Sequence, residues 1–224
     1  MKIKSIATIV ATLALSAPAG AHEAGEVILR VGAMHYSPDV TSGRLHEKTG
    51  NRWGYMVWRD KVDIDADTNV GLSATWMVIP HLGIEFATGA PFSLKVRDKT
   101  AHYDVGKVKA FSPTVSAQFF FMPPQSRFQP YVGLEMNYTA FYDESIDSDL
   151  RNNYDGHGFK VTDSLGLAMQ TGIDFAVTDR FVLNAALWKL DVYSKIKYKE
   201  GNSSLSWKAD VDPWQFFFGI GYKF

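Results

Sequence analysis

The chain has 224 residues, 46% of them hydrophobic, which suits one large domain, and no Pro- or Ser-rich linker divides it. With 23 basic against 24 acidic residues the net charge is −1, so there is no basic footprint for nucleic acid and DNA or RNA partners are not expected. The absence of cysteine excludes disulfides and thiolate metal sites.

At the N-terminus, Lys2 and Lys4 precede an apolar run from Ile6 to Leu15, and Ala19-Gly20-Ala21 reads as an Ala-x-Ala cleavage site. This predicts a secretory leader over 1-21 and a mature chain, 22-224, that starts at His22. The alternative is a transmembrane anchor, but about ten apolar residues cannot cross roughly 30 Å of hydrocarbon as a helix. Without Lys2 and Lys4 the balance becomes 21 basic to 24 acidic residues, a net charge of −3. Beyond residue 21 no apolar run reaches the roughly 18 residues of a membrane helix, which excludes a helical membrane protein.

Period-two alternation appears instead, in eight runs near 26-38, 63-78, 82-96, 106-121, 128-144, 160-177, 181-198 and 204-224. In the second run Val70, Leu72, Ala74, Trp76 and Val78 alternate with Asn69, Gly71, Ser73, Thr75 and Met77. The fourth sets Val115, Ala117 and Phe119 against Thr114, Ser116 and Gln118. The fifth sets Val132, Leu134, Met136 and Tyr138 against Gly133, Glu135, Asn137 and Thr139. In the sixth Leu165, Leu167, Met169, Ile173 and Phe175 oppose Ser164, Gly166, Ala168, Gln170, Gly172 and Asp174. The last is the clearest, with Trp214, Phe216, Phe218, Ile220, Tyr222 and Phe224 against Gln215, Phe217, Gly219, Gly221 and Lys223.

Alternation alone does not separate a soluble barrel with an apolar inside from a membrane barrel with an apolar outside. The export signal, runs of 11 or more residues and the asymmetry of the connections favour the second. Short turns fall at 79-81, 122-125 and 178-179, and longer polar loops at 39-62, 97-105 and 145-159, with a shorter one at 199-203. The prediction is an all-β, eight-stranded antiparallel transmembrane barrel of the bacterial outer membrane, closed because an open edge in hydrocarbon strands backbone groups without partners. Trp76, Phe119, Phe121, Tyr131, Phe175, Trp214 and Tyr222 fit interfacial aromatic girdles. The terminal Phe224 suits recognition by the barrel assembly machinery.

Taken together these segments resemble the OmpW family, which also contains the alkane-importing AlkL proteins. The resemblance spans nearly the whole chain. It begins with His22-Glu23-Ala24-Gly25-Glu26 ahead of VILRVGA, and continues through Gly83-Ile84-Glu85 leading to Ala90-Pro91-Phe92, and through Pro113-Thr114. Phe128-Gln129-Pro130-Tyr131-Val132-Gly133 follows, then Asn137-Tyr138-Thr139 with Phe141, Asp212-Pro213-Trp214 and the closing Gly221-Tyr222-Lys223-Phe224. It implies a narrow hydrophobic channel, open to the outside, from which apolar compounds leave sideways into the membrane. The first loop departs from the pattern: Arg44, His46, Glu47, Lys48, Arg52, Arg59 and Lys61 are interleaved with Trp53, Tyr55 and Trp58, a segment suited to tuning ligand entry or to meeting lipopolysaccharide phosphates.

Alternation places Arg30, Glu85, Glu135, Asp174 and Lys223 inside the barrel, where buried charges must pair. With Gln118 and Gln170 they are expected to form a polar plug that diverts an apolar cargo through the wall. A catalytic pair made of Glu85 and Glu135 is the competing reading. Met34, Phe141, Trp188 and Leu190 are candidates for a ligand-lining wall, and Pro91, next to Ala90, is a candidate strand interruption that makes the lateral opening. His102, His157, Ser145, Ser148 and Asp155 lie at the height of a lipid-modifying enzyme site but no nucleophile motif surrounds them. The histidines lack metal-ligand spacing, and Asp143, Glu144, Asp147 and Asp149 lack the pattern of an EF-hand loop. The expectation is a monomer without cofactor, metal or chemistry that passes small hydrophobic solutes and sits among outer-membrane lipid and lipopolysaccharide. The rivals are a lipid A-modifying barrel enzyme and an adhesion or structural barrel acting through its external loops.

Overall fold

The computed structural model describes residues 22-42, 45-49, 52-56, 62-98 and 103-224. The expected leader, and Arg44, Trp58, Arg59, Lys61 and His102, lie outside the described residues. After a short segment from His22, β1 (Val27–Ser37) is followed by three short strands, β2 (Val40–Ser42), β3 (Leu45–Thr49) and β4 (Arg52–Met56). Next come β5 (Val62–Ile64), β6 (Asp67–Ile79), β7 (Leu82–Gly89), β8 (Phe92–Asp98), β9 (Tyr103–Phe111) and β10 (Thr114–Phe120). The long β11 (Phe128–Ile146) leads to a one-turn-plus helix α1 (Ser148–Tyr154), then β12 (Gly156–Val161) and β13 (Ser164–Ala176). The chain ends with β14 (Phe181–Leu190), β15 (Val192–Glu200), β16 (Ser203–Val211) and β17 (Trp214–Lys223).

Eight of these strands pair antiparallel in the order β10-β7-β6-β1-β17-β14-β13-β11, and β10 pairs with β11 to close the cylinder. Closure leaves the cylinder without a free strand edge, as a surface in hydrocarbon requires. The register carries one apolar row around the outside, from Leu29 to Ala74, Phe86, Val115, Met136 and Leu167. Leu134, Leu165, Met169 and Phe218 are exposed on the same surface. The band follows the length of β17, ten residues. At about 3.3 Å per residue and a tilt of about 40° that is roughly 25 Å, the height of a membrane barrel's lipid-facing band.

The alternation predicts unbroken runs, but six of the eight are interrupted near the outer edge of the band and the first ends there. The breaks fall at Pro38-Asp39, Asp65-Ala66, Ala90-Pro91, Ser112-Pro113, Thr162-Asp163, Asp191 and Asp212-Pro213. Proline has no N–H for the ladder, and it biases the residue before it away from helix. Groups nearby take over the lost rungs. Asp67 Oδ2 accepts from the Ser93 amide at 2.8 Å, Asp163 Oδ1 from the Phe141 amide at 2.9 Å, and the Pro213 carbonyl from the Leu190 amide at 3.1 Å. Only β11 runs through, with a bulge between Tyr142 and Ser145.

Above this collar the tube becomes two sheets, β12-β15-β16-β3-β4 with β2 beside β16, and β5-β8-β9 joined to the upper part of β11. Their inner faces share one apolar core, with Leu94, Val96 and Val108 on one side and Ile196, Leu205, Ala209 and Val211 on the other. The first loop is therefore partly strand, since β2, β3 and β4 lie within 39-62. Tyr131 is also not a girdle residue: it is 1% exposed and points inward. It follows the same alternation that turns Val132 and Leu134 outward.

Candidate functional site: a sealed and layered lumen

The lumen is built from the alternate residues of eight strands, so the register dictates which side chains share a level. One inner row runs Thr75, Glu85, Ser116, Glu135 and Ala168, and the next runs Gln118, Gly133, Gln170, Trp188 and Gln215. At the base of these rows Arg30 organises an ionic layer. Its Nε donates to Asp174 Oδ1 at 3.1 Å and its Nη2 to Asp174 Oδ2 at 2.5 Å, while Nη1 donates to Thr75 Oγ1 at 2.6 Å and to Glu85 Oε2 at 3.2 Å. Gln118 Nε2 donates to Gln170 Oε1 at 2.8 Å, and Gln170 Nε2 to Glu85 Oε1 at 3.0 Å. Asn184 Nδ2 donates to Asp174 Oδ1 at 2.8 Å and to the Tyr131 hydroxyl at 3.0 Å.

The structure thus brings Arg30, Glu85, Gln118, Gln170 and Asp174 into one hydrogen-bonded layer. Every one of them is at most 3% exposed. Such an arrangement is tolerable because each charge is both paired and hydrogen-bonded. The other two residues expected in this layer stand apart. Lys223 lies 3.6 Å from Glu26, whose other oxygen accepts from the His22 amide at 2.6 Å. Glu135 has no cation within ion-pair distance among the described residues; its Oε1 accepts from Trp188 Nε1 at 2.5 Å. Basic neighbours therefore do not account for Glu135. Among the described residues its Oε2, with Ser116 Oγ and Gln215 Nε2, finds no hydrogen-bond partner, and these atoms are available to a hydrogen-bonding guest or water.

Beneath the ionic layer the segment that leads into β1 closes the inner end. His22 is 1% exposed, its Nε2 lies 3.1 Å from Asp174 Oδ2, and its ring packs on Phe120 at 4.5 Å between centroids. Above the layer the character changes to apolar. Met34, Trp188 and Leu190 belong to one contiguous core with Phe217, and Phe141 packs against it. All four expected lining residues therefore join one apolar body, although Phe141 lies higher, among the walls of the upper sandwich. There Tyr36 stacks on Phe92 at 5.2 Å, and the residual cavity between the sheets measures about 10 Å³, room for one water.

Two contributors escaped the sequence reading. Gly219, Gly32, Gly71 and Gly89 fall in one row across β17, β1, β6 and β7. A Cβ on Gly71 or Gly219 would press into Phe217, so this bare floor is what lets Phe217 and Met34 lie across the lumen. Asn184 faces inward on β14, and its role in fixing Asp174 depends on the neighbouring β13, a pairing that only the fold reveals. Of the enzyme candidates, His157 Nδ1 lies 2.9 Å from the Asp155 carbonyl. In the acidic stretch, Asp143 pairs with Lys109 at 2.7 Å and Glu144 with Lys160 at 3.7 Å.

A closed antiparallel barrel, greasy outside and plugged by paired charges inside, defines an integral outer-membrane β-barrel protein. The chain belongs to the OmpW family, whose model matches residues 23–224. It is 32% identical to outer membrane protein W of Escherichia coli over 231 residues, with 100% of both chains covered. It is 22% identical to outer membrane protein AlkL of Ectopseudomonas oleovorans over 165 residues, covering 73% of this chain and 69% of that one. Among solved structures, the outer membrane protein OprG of Pseudomonas aeruginosa superposes with a TM-score of 0.82 at 32% identity, covering 91% of this chain and 98% of that one. AlkL in lipid bilayers shares the fold at 19% identity with a TM-score of 0.66, covering 94% of this chain and 95% of that one. The protein is a resident of the bacterial outer membrane.

Proposed function

We propose that this protein is a passive, non-enzymatic conduit for small hydrophobic molecules. The observation that carries the reading is the stratified lumen. An ionic layer of Arg30, Glu85, Gln118, Gln170 and Asp174 bars the way to the periplasm, and above it an apolar body of Met34, Trp188, Leu190 and Phe141 reaches the level of the collar. A molecule without hydrogen-bonding groups gains nothing from the lower layer and everything from the upper one.

The exit assigned to it is the wall beside Ala90-Pro91. The β6–β7 ladder stops at Gly71 and Gly89, and Asn69 Nδ2 and the Val70 carbonyl take up the Pro91 carbonyl and the Ala90 amide at 3.0 and 2.8 Å. Several staves are broken at this height; here Asn69 Nδ2 and the Asp67 carboxylate span the gap between β6 and the start of β8. Passage requires the apolar side chains of the upper sandwich to move, because its cavity is too small for a solute. Residues 1-21 act in this reading as the export leader. The barrel works as a monomer among outer-membrane lipids, and the exposed Phe224 presents the signal for barrel assembly.

The test is uptake of a labelled alkane by cells with and without the protein, and by cells in which Pro91→Ala restores an amide at the break. Faster uptake with the parent protein is expected, with a reduced rate for the variant. Equal uptake in all three refutes the conduit.

A further inference from the structure

The outward face of one upper sheet carries a charge pattern that neither the fold nor the conduit uses. On β15 the residues turned away from the sandwich core are Tyr193, Lys195, Lys197 and Lys199; β16 adds Lys208 and β12 adds His157 and Lys160. The register sets like against like. Lys195 is directly opposite Lys208, and Lys197 is directly opposite Lys160. Same-sign neighbours at such positions, about 5 Å apart at Cβ, destabilise a sheet.

Two ordinary explanations fail. Exposed lysines often protect a free strand edge from pairing with another chain, but β15 and β16 are each paired on both sides. Neutralisation by carboxylates is the second. Lys160 has Glu144 at 3.7 Å, whereas among the described residues no carboxylate lies within ion-pair distance of Lys195, Lys197, Lys199 or Lys208. Asp210, on the same face of β16, reaches none of them.

The geometry points to a binding site for the phosphorylated sugar headgroups of the outer-leaflet glycolipid. Ammonium groups are compact charges that donate to phosphate oxygens, and a shared anion converts their mutual repulsion into attraction. Height selects the occupant. The pair Lys189 and Trp214 marks the upper edge of the apolar band, and Lys195 and Lys208 each lie six residues beyond it along their strands. At about 3.3 Å per residue and about 40° of tilt this is roughly 15 Å above the band. The headgroup layer of a common phospholipid is only about 5–8 Å deep, so its phosphates sit below the array, while phosphorylated sugars rise to meet it. The site is independent of the conduit, since no residue of the lumen takes part.

The test uses the full-length mature barrel in zwitterionic detergent, titrated with lipopolysaccharide that bears a phosphorylated core, with binding read by surface capture and by the unfolding midpoint. In Lys195→Gln/Lys197→Gln/Lys208→Gln the affinity is expected to fall by about fivefold per lysine, on the order of a hundredfold in all, and high salt to weaken the parent toward the variant. Without lipopolysaccharide the variant's unfolding midpoint equals or exceeds the parent's, because the repulsion is gone. Parent-like affinity in the variant overturns the site. Equal binding of dephosphorylated lipopolysaccharide or of phosphatidylglycerol vesicles to the parent, or indifference to salt, overturns it as well.

Discussion

Arg30→Met tests the ionic layer most directly. The guanidinium holds Asp174 by two hydrogen bonds, at 3.1 and 2.5 Å, and Glu85 by one at 3.2 Å, with Thr75 at 2.6 Å. Methionine fills similar space but leaves two carboxylates in the lumen without their shared cation. Asp174 keeps Asn184 and His22 and Glu85 keeps Gln170 and Thr75, so the loss is less than that of two bare ions. Removing one partner of a buried pair costs about 3–5 kcal/mol, a factor of roughly 10² to 5 × 10³ in the folding equilibrium. Urea unfolding of the barrel in lipid, followed by tryptophan emission, measures this cost. The triple variant Arg30→Met/Glu85→Gln/Asp174→Asn leaves no carboxylate of this layer without its cation, and stability is expected within about 1–2 kcal/mol of the parent. A single variant that loses less than about 1 kcal/mol, or a triple variant no better than the single one, refutes the view that Arg30 exists to neutralise the layer.

Two further perturbations probe the lumen and the collar. A Cβ at position 172 falls on the Tyr131 ring, which Phe120 at 5.0 Å and Asn184 at 3.0 Å hold in place. Gly172→Ala is therefore expected to cost about 1–3 kcal/mol, and much of that disappears in a Tyr131→Leu background; an equal cost in both backgrounds refutes the overlap. At the collar, the Phe141 amide and then the Tyr138 hydroxyl donate to the Asp163 carboxylate and hold its pKa below the ordinary 3.8. A depressed folded value means that the stabilisation is complete above the ordinary value and is lost as pH falls through the lower one. The Phe141 amide resonance should stay fixed from neutrality down to about pH 4 and move only below. A midpoint at or above the ordinary value contradicts the two donors.

The wall was legible because lipid imposes a strict period of two on each stave. Trp214 to Phe224 declare their side whatever strands flank them, and the same alternation names Arg30, Glu85, Asp174 and Gln118 as lumen residues. Partnership was not legible, because it depends on stagger between strands. Glu135 and Arg30 share a face in the sequence pattern, yet the register sets Glu135 beside Trp188 and leaves Arg30 to Asp174. Tyr131 misled for a related reason, since an aromatic near a strand end suits either a girdle or a lumen until its neighbours' parity is imposed. The prolines at 38, 91, 113 and 213 were visible individually, but only the closed sheet lines up their breaks at one level. Nothing in the sequence singles out the lysines of β15, because only the pairing with β12 and β16 sets Lys160 and Lys208 against them.

That alignment of breaks bears on how such a protein tolerates change. A slip of one residue in a stave would turn its oily row inward and its charges into lipid. Because every stave but β11 is interrupted between the membrane cylinder and the outer hairpins, an insertion or deletion beyond such a break is expected to be absorbed at the nearest proline or aspartate and to stop there. The exterior is thus free to vary in length and sequence, while the submerged staves keep their parity.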